Sequence, residues 1–137
     1  MEKNKYRKIA TKVIETEINS LKKLKSSINS SFEKAVKSII NCKNGKIIIS
    51  GVGKSGIIGK KISSTLASVG TSSFYVDASS CSHGDLGKIG ANDILILISY
   101  SGESSELKNI IQFAKRNKIY LIGIVSKKIL FCIKHQM

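Results

Sequence analysis

Two short stretches gather the residue types that could handle an anion. The first is Gly51-Val52-Gly53-Lys54-Ser55-Gly56, and the second is Ser99-Tyr100-Ser101-Gly102-Glu103-Ser104-Ser105-Glu106. Glycines let a backbone approach a ligand closely, serines supply hydroxyl donors, and Lys54 adds a positive charge; together these suit a phosphate. A nucleotide P-loop requires GxxxxGK[ST]; Gly53-Lys54-Ser55 provides its end, but Ile48 stands where its opening glycine belongs, so that reading fails. Gly51, Gly53 and Gly56 match the GxGxxG of a dinucleotide site, with Asp77 further on as a ribose-binding acid, yet this leaves the serine-rich stretch without a use. A third reading uses both stretches. Ser55 from one and Ser99, Ser101 and Ser104 from the other converge on a single phosphate. Against it stands a purely structural role for Ser104, as the N-cap of a helix that starts near Glu106 or Leu107. Between the two lies Ser82-His83-Gly84-Asp85-Leu86-Gly87. Its histidine is either a general acid or substrate hydrogen-bond partner, or a solvated turn residue, and that stretch alone favours the turn. His135 has no context that gives it a role.

The elements that must carry these stretches are legible from periodicity. Apolar β-branched runs at Lys46–Ser50, Ser72–Val76, Ile94–Ser99 and Tyr120–Val125 alternate with helical patterns over Ser55–Ser68 and Ser104–Asn117. Such alternation predicts a parallel sheet covered by helices on both faces. In an open sheet of that kind, ligands sit outside the carboxyl ends of the strands, where both polar stretches fall. The first forty residues repeat apolar positions at helical spacing, from Ile9 through Val13, Ile18 and Leu24 to Phe32 and Ile39. Asn19-Ser20 or Ser30-Ser31 is expected to divide them into two or three helices, and Asn44-Gly45 to end the last.

With 137 residues, the chain is long enough for one domain with a core, and 42% hydrophobic against 23% charged residues excludes a disordered class. The net charge of +14 comes almost entirely from lysine; with only Arg7 and Arg116 as arginines, a solvated lysine surface explains it better than nucleic acid or a membrane as partner. Cys42, Cys81 and Cys132 are scattered, without a CxxC pair, which fits neither a disulfide framework nor a metal site and points to a reducing, cytoplasmic setting. The amino terminus lacks the apolar segment of a signal peptide, and no apolar run approaches the ~20 residues of a membrane span.

Taken in order, GVGKSGIIGKKISSTLASVGTSSFYVDASSCSHGDLG and ISYSGESSELKNIIQFAKR resemble the sugar isomerase (SIS) domain of D-arabinose 5-phosphate isomerases, over roughly residues 6 to 126. The resemblance implies a three-layer αβα sandwich with a parallel, flavodoxin-like sheet. Residues 1–45 would be the N-terminal helical lead-in, 46–126 the core, and 127–137 a divergent tail. It implies interconversion of D-ribulose 5-phosphate and D-arabinose 5-phosphate through an enediol, a reaction that supplies Kdo for lipopolysaccharide, with no cofactor and no metal. Family serines that hold the sugar phosphate correspond to Ser55, Ser99, Ser101 and Ser104. The catalytic assignments fall on Lys54 for charge stabilisation, Glu106 for acid–base work and His83 for the substrate hydroxyls, with Gly70 and Thr71 matching a substrate-contacting turn. A homo-oligomer, a tetramer in the family, is implied as well.

The chain also departs from that pattern. Family members continue past the fourth strand, and many add paired CBS domains; neither follows here, so an isomerase that is truncated, C-terminally incomplete and even inactive is an expectation too. Asp77 stands where these isomerases commonly have histidine. A non-catalytic sugar-phosphate-binding SIS module is the alternative function, and a dehydrogenase of the dinucleotide class a distant third.

Overall fold

A computed structural model of the chain describes residues 2–126 and 131–133, with residues 2, 3, 82, 83 and 131–133 described by backbone alone. The chain divides into two compact units at Ser30. The first is essentially one helix, α1 (Glu2–Ser27). The expected break at Asn19-Ser20 does not occur. Ser20 donates its hydroxyl to the Thr16 carbonyl at 2.9 Å, and Thr16 donates to Lys12 at 2.8 Å, so these polar side chains are satisfied within the helix and do not compete with it. Its apolar stripe, including Val13, Ile14, Ile18 and Leu21, is exposed.

The second unit is the α/β sandwich. Its elements are α2 (Ser30–Asn41), β1 (Ile47–Gly51), α3 (Lys54–Ser68), β2 (Ser73–Tyr75), β3 (Ile94–Ser99), α4 (Leu107–Arg116), β4 (Tyr120–Val125) and β5 (Phe131–Ile133), with two 3-10 turns, Ser80–His83 and Asp85–Lys88, between β2 and β3. The sheet order is β2-β1-β3-β4-β5. The first four strands are parallel, in the flavodoxin-like order, and match the runs read from the sequence to within a residue at either end. β5 adds to the edge antiparallel to β4, with Ile122 opposite Cys132. No strand is expected there from the sequence, because the tail has neither the length nor the alternation to declare one. Residues 127–130 and 134–137 lie outside the described part.

Strands buried on both faces split their side chains between two cores. On one side Ile47, Ile49, Ile94, Ile96 and Ile98 meet Ala35 and Ile39 of α2 and Ile62 and Leu66 of α3. On the other, Ile48, Leu95 and Leu97 meet Leu107, Ile110 and Ala114 of α4, together with Cys81 and Ile89 from the β2–β3 connection. The helix α2 therefore packs on the sheet as part of the sandwich. The sheet order reverses between β1 and β3, since β2 lies on one side of β1 and β3 on the other. At such a switch point the crevice opens at the carboxyl ends of the two strands.

Candidate functional site

The two polar stretches leave the sheet side by side. Gly51, the last residue of β1, lies opposite Ile98 of β3. A Cβ at Gly51 would stand 2.9 Å from the Ile98 carbonyl oxygen and 3.0 Å from the main chain of Ser55, so only glycine lets the first turn fold back on its strand. α3 begins at once at Lys54, and no side chain caps its first turn. Its end presents main-chain N–H groups and the positive pole of the helix toward the crevice. Lys54 is exposed there and Ser55 is half-buried.

The second turn is built from its own hydroxyls. Ser99, the last residue of β3, is 5% exposed; its Oγ accepts the Gly102 N–H at 3.0 Å and lies 2.9 Å from Ser104 Oγ. Gly102 has a φ of 78°, the left-handed region that glycine favours, and this turns its N–H back onto Ser99. Ser101 Oγ accepts the Glu103 N–H at 3.1 Å on the exposed side. From behind, Ser126 ties the turn to the end of β4, donating both its N–H (3.2 Å) and its hydroxyl (2.6 Å) to the Tyr100 carbonyl. Ser104 does not cap α4. That helix starts at Leu107 without a side-chain cap, and the Ser104 hydroxyl is turned to Ser99 instead. Glu106 occupies the position before the helix, exposed, with Oε2 accepting the Ser105 hydroxyl at 3.1 Å. Beneath the turn a cavity of about 270 Å³ is lined by Ser99, Gly102, Leu107, Ile111 and Val125. A larger one, about 430 Å³, lies at the opposite, amino end of the strands among Lys37, Asn41, Cys42, Asp93 and Lys118.

Lys54, Ser55, Ser99, Ser101, Ser104 and Glu106 thus all sit on the turns or helix starts at the carboxyl ends of β1 and β3. Gly70 and Thr71 do not join them. They follow α3, which carries the chain back across the sheet, and so precede β2 at its amino end, about 20 Å away along a 15-residue helix. The His83 backbone closes the first 3-10 turn after β2, but its side chain lies outside the described residues. Asp77, just past β2, is spent on its own turn, where Oδ1 accepts the Ser79 N–H at 2.8 Å. That hydrogen bond, with smaller help from Ser80 and Lys60, holds the carboxyl below the usual carboxylate range. Burial, followed by the charges of Asp85 and Asp77, pushes the Cys81 thiol up to about 11, so this cysteine is a core residue and not a nucleophile.

Three contributors escape sequence reasoning. Ser126 looks like an ordinary strand exit, although a hydroxyl at the end of the strand beside β3 is the available signal. Tyr75 looks like one more aromatic strand residue, yet its hydroxyl reaches Gly51 at 2.7 Å. Gly102 is readable only as a turn former. Among the described residues no group of three or more His, Cys, Asp or Glu is gathered in a way that could hold a metal ion, and no helix is long and apolar enough to cross a membrane.

Comparison with known proteins agrees with this architecture. The SIS domain family matches residues 39–130. The chain is 45% identical over 119 residues to arabinose 5-phosphate isomerase KdsD of Francisella tularensis, covering 85% of this chain and 36% of that protein. It is 44% identical over 121 residues to KdsD of Yersinia pestis, covering 88% and 37%. An Escherichia coli CFT073 protein solved in complex with arabinose 5-phosphate superposes with a TM-score of 0.84 at 35% identity, covering 91% of this chain and 66% of that one. The chain spans less than two-fifths of the length of these curated relatives.

Proposed function

The chain belongs to the SIS domain family, and from that premise we propose that it binds a sugar phosphate at the joined tips of β1 and β3 and interconverts D-arabinose 5-phosphate and D-ribulose 5-phosphate. The observation that carries this reading is the pairing of two anion-suited turns on adjacent strands, with Gly51 level with Ile98 and the Ser99–Ser104 hydroxyl pair one residue beyond. A phosphate seated there takes hydrogen bonds from Ser55, Ser101 and Ser104 and from the uncapped start of α3, while Ser99 holds the shape of the second turn.

The chemistry then asks for one proton transfer between neighbouring carbons. In our reading the Glu106 carboxylate removes the C2 proton of the aldose, giving an enediol, and returns it to C1. The hydroxyl proton on O2 passes to O1, so the ketose forms with atoms and charge unchanged. Lys54 stabilises the negative charge that develops on oxygen, and His83 bonds the sugar hydroxyls. Gly70 and Thr71, at the far end of β2, take part only where a neighbouring copy of the chain presents them to the site, which suits a homo-oligomer. No cofactor is required by these steps. The product would serve Kdo and lipopolysaccharide synthesis in the cytoplasm.

Incubation of the purified protein with ribulose 5-phosphate, followed by assay for arabinose 5-phosphate, tests the proposal directly. A thermal shift with arabinose 5-phosphate, and none with NAD, supports the same pocket, because a ligand stabilises the fold it binds. Turnover absent in the presence of a clear shift selects the second reading, a sugar-phosphate-binding module without catalysis. That reading draws on Glu106, whose carboxylate is exposed and already bonded to its neighbour Ser105.

A further inference from the structure

The first turn is held from a strand that carries none of the proposed ligand contacts. β2 is short, ending at Tyr75, and the main chain then leaves the ladder: the Val76 N–H still bonds the Ile49 carbonyl at 2.9 Å, but beyond it the chain turns away through the Asp77–Ser79 hydrogen bond. In a parallel ladder acceptors on one edge recur every second residue, so the next β1 carbonyl facing β2 is that of Gly51. Its donor is the Tyr75 hydroxyl, at 2.7 Å. A side chain thus continues the ladder by one rung, and the residue it grips is the one from which the phosphate turn departs.

The slot for this side chain is cut by glycines of α3. A Cβ at Gly56 would stand 2.6 Å from Tyr75 Oη and 2.7 Å from the Gly51 oxygen, and one at Gly59 would stand 3.2 Å from the Tyr75 ring. Lys60 lies over the ring, 5.2 Å from its centroid. Burial first, then the charge of Asp77 and hydrogen bonding to its carboxylate, raise the phenol's pKa, so the hydroxyl keeps its proton, with the Gly51 carbonyl 2.7 Å away. Ring, hydroxyl and helix are therefore fitted to each other at the root of the turn, and not merely packed.

We propose that Tyr75 is a positioning residue for the sugar-phosphate site: by donating to the Gly51 carbonyl it fixes the 51–56 turn in its anion-ready shape before ligand arrives. This rests on the proposed phosphate role of that turn. The effect acts through Gly51, with no contact between Tyr75 and substrate.

The test compares Tyr75→Phe with Ser73→Ala in the full chain. Ser73 makes an equivalent bond at the other end of the same strand, its hydroxyl donating to the Ile47 carbonyl at 2.8 Å. Each loses one hydrogen bond and each should lose a similar small amount of stability. Only Tyr75→Phe should speed amide exchange across residues 52–56 of the unliganded protein and weaken arabinose 5-phosphate binding, by roughly five- to tenfold, the range of one hydrogen bond. Equal exchange at 52–56 in both variants and wild type overturns the positioning role, whatever the ligand. Wild-type protein that fails to bind arabinose 5-phosphate, while Tyr75→Phe still loosens the turn, removes the functional reading and leaves the mechanical one standing.

Discussion

The hydroxyl of Ser99 lies 2.9 Å from that of Ser104, five residues along, and this contact closes the turn at the end of β3 into a ring. Ser99 is buried and also accepts the Gly102 N–H, whereas Ser104 is half-buried. The two serines therefore divide the work. Ser99 shapes the turn from within, and in the proposed function Ser104, the less buried of the two, is the one whose hydroxyl would be shared with a ligand.

Ser99→Ala is consequently expected to lower stability as well as binding. It takes the acceptor from the Gly102 N–H, a loss of about 0.5–1.5 kcal/mol because Gly102 is exposed and water can replace the bond, and arabinose 5-phosphate affinity should fall about tenfold as the turn relaxes. Ser101→Ala, on the exposed side, should shift stability by no more than about 0.5 kcal/mol. Chemical denaturation beside calorimetric titration separates the two effects. A Ser99→Ala protein as stable and as tight-binding as wild type would contradict the division of roles.

Much of this site is legible in the sequence because its strands are. Ile94–Ser99 and Tyr120–Val125 are continuous apolar runs bounded by polar residues, a pattern forced by burial on both faces, and the turns follow from where the runs stop. What a motif match does not carry is which end of the sheet a residue reaches. Gly70 and Thr71 stand close to the first turn in sequence and are separated from it by the length of α3. Ser104 shows the other limit: its spacing before α4 fits a helix cap, yet in the folded chain its hydroxyl turns to Ser99. Residues that act on the main chain of a distant strand, as Tyr75 and Asp93 do, leave no local pattern at all.

Asp93 anchors the opposite end of the sheet. At 4% exposure its carboxylate accepts the Lys46 N–H at 2.8 Å and the Gly90 N–H at 2.7 Å, joining the starts of β1 and β3. The Lys46 ammonium is 3.6 Å from Oδ1, the oxygen that takes its own N–H, but half-exposed, where such a pair contributes little. Asp93→Ala should therefore cost about 2–4 kcal/mol by stranding two amides, against less than about 1 kcal/mol for Lys46→Met. Urea unfolding of the two variants ranks them, and a Lys46→Met cost equal to that of Asp93→Ala would show the ion pair to be the tie that matters.

Asp77 gives the acid limb a visible contribution. Its carboxyl is held below the ordinary value of 3.8, first by the Ser79 N–H, so the charged form is the one the fold favours. A depressed carboxylate adds stability above its unfolded pKa and loses it as pH falls through the folded one. Thermal melts of Asp77→Ala should lie slightly below wild type from neutral pH down to about pH 4, and the gap should close at lower pH. A gap that stays constant into the acid range would assign the effect to lost packing and not to the charge. Because the group is exposed, the shift is small and salt-sensitive.

Glu106 decides between catalyst and binding module. It precedes α4, with its carboxylate on Ser105, so an acid there has a structural use even without a reaction: a negative charge at a helix start is favoured by the dipole. Glu106→Gln keeps an oxygen for the Ser105 hydroxyl and the shape of the side chain, and removes only the capacity to accept a proton. If Glu106 moves the proton between C1 and C2, the variant should bind arabinose 5-phosphate within about twofold of wild type while kcat drops by about 10²–10⁴. A helix-dipole role predicts the reverse pattern, with a small loss of melting temperature and turnover untouched. Retained turnover in Glu106→Gln thus removes the residue from the chemistry and moves the search for a base to His83, the remaining candidate between the two turns.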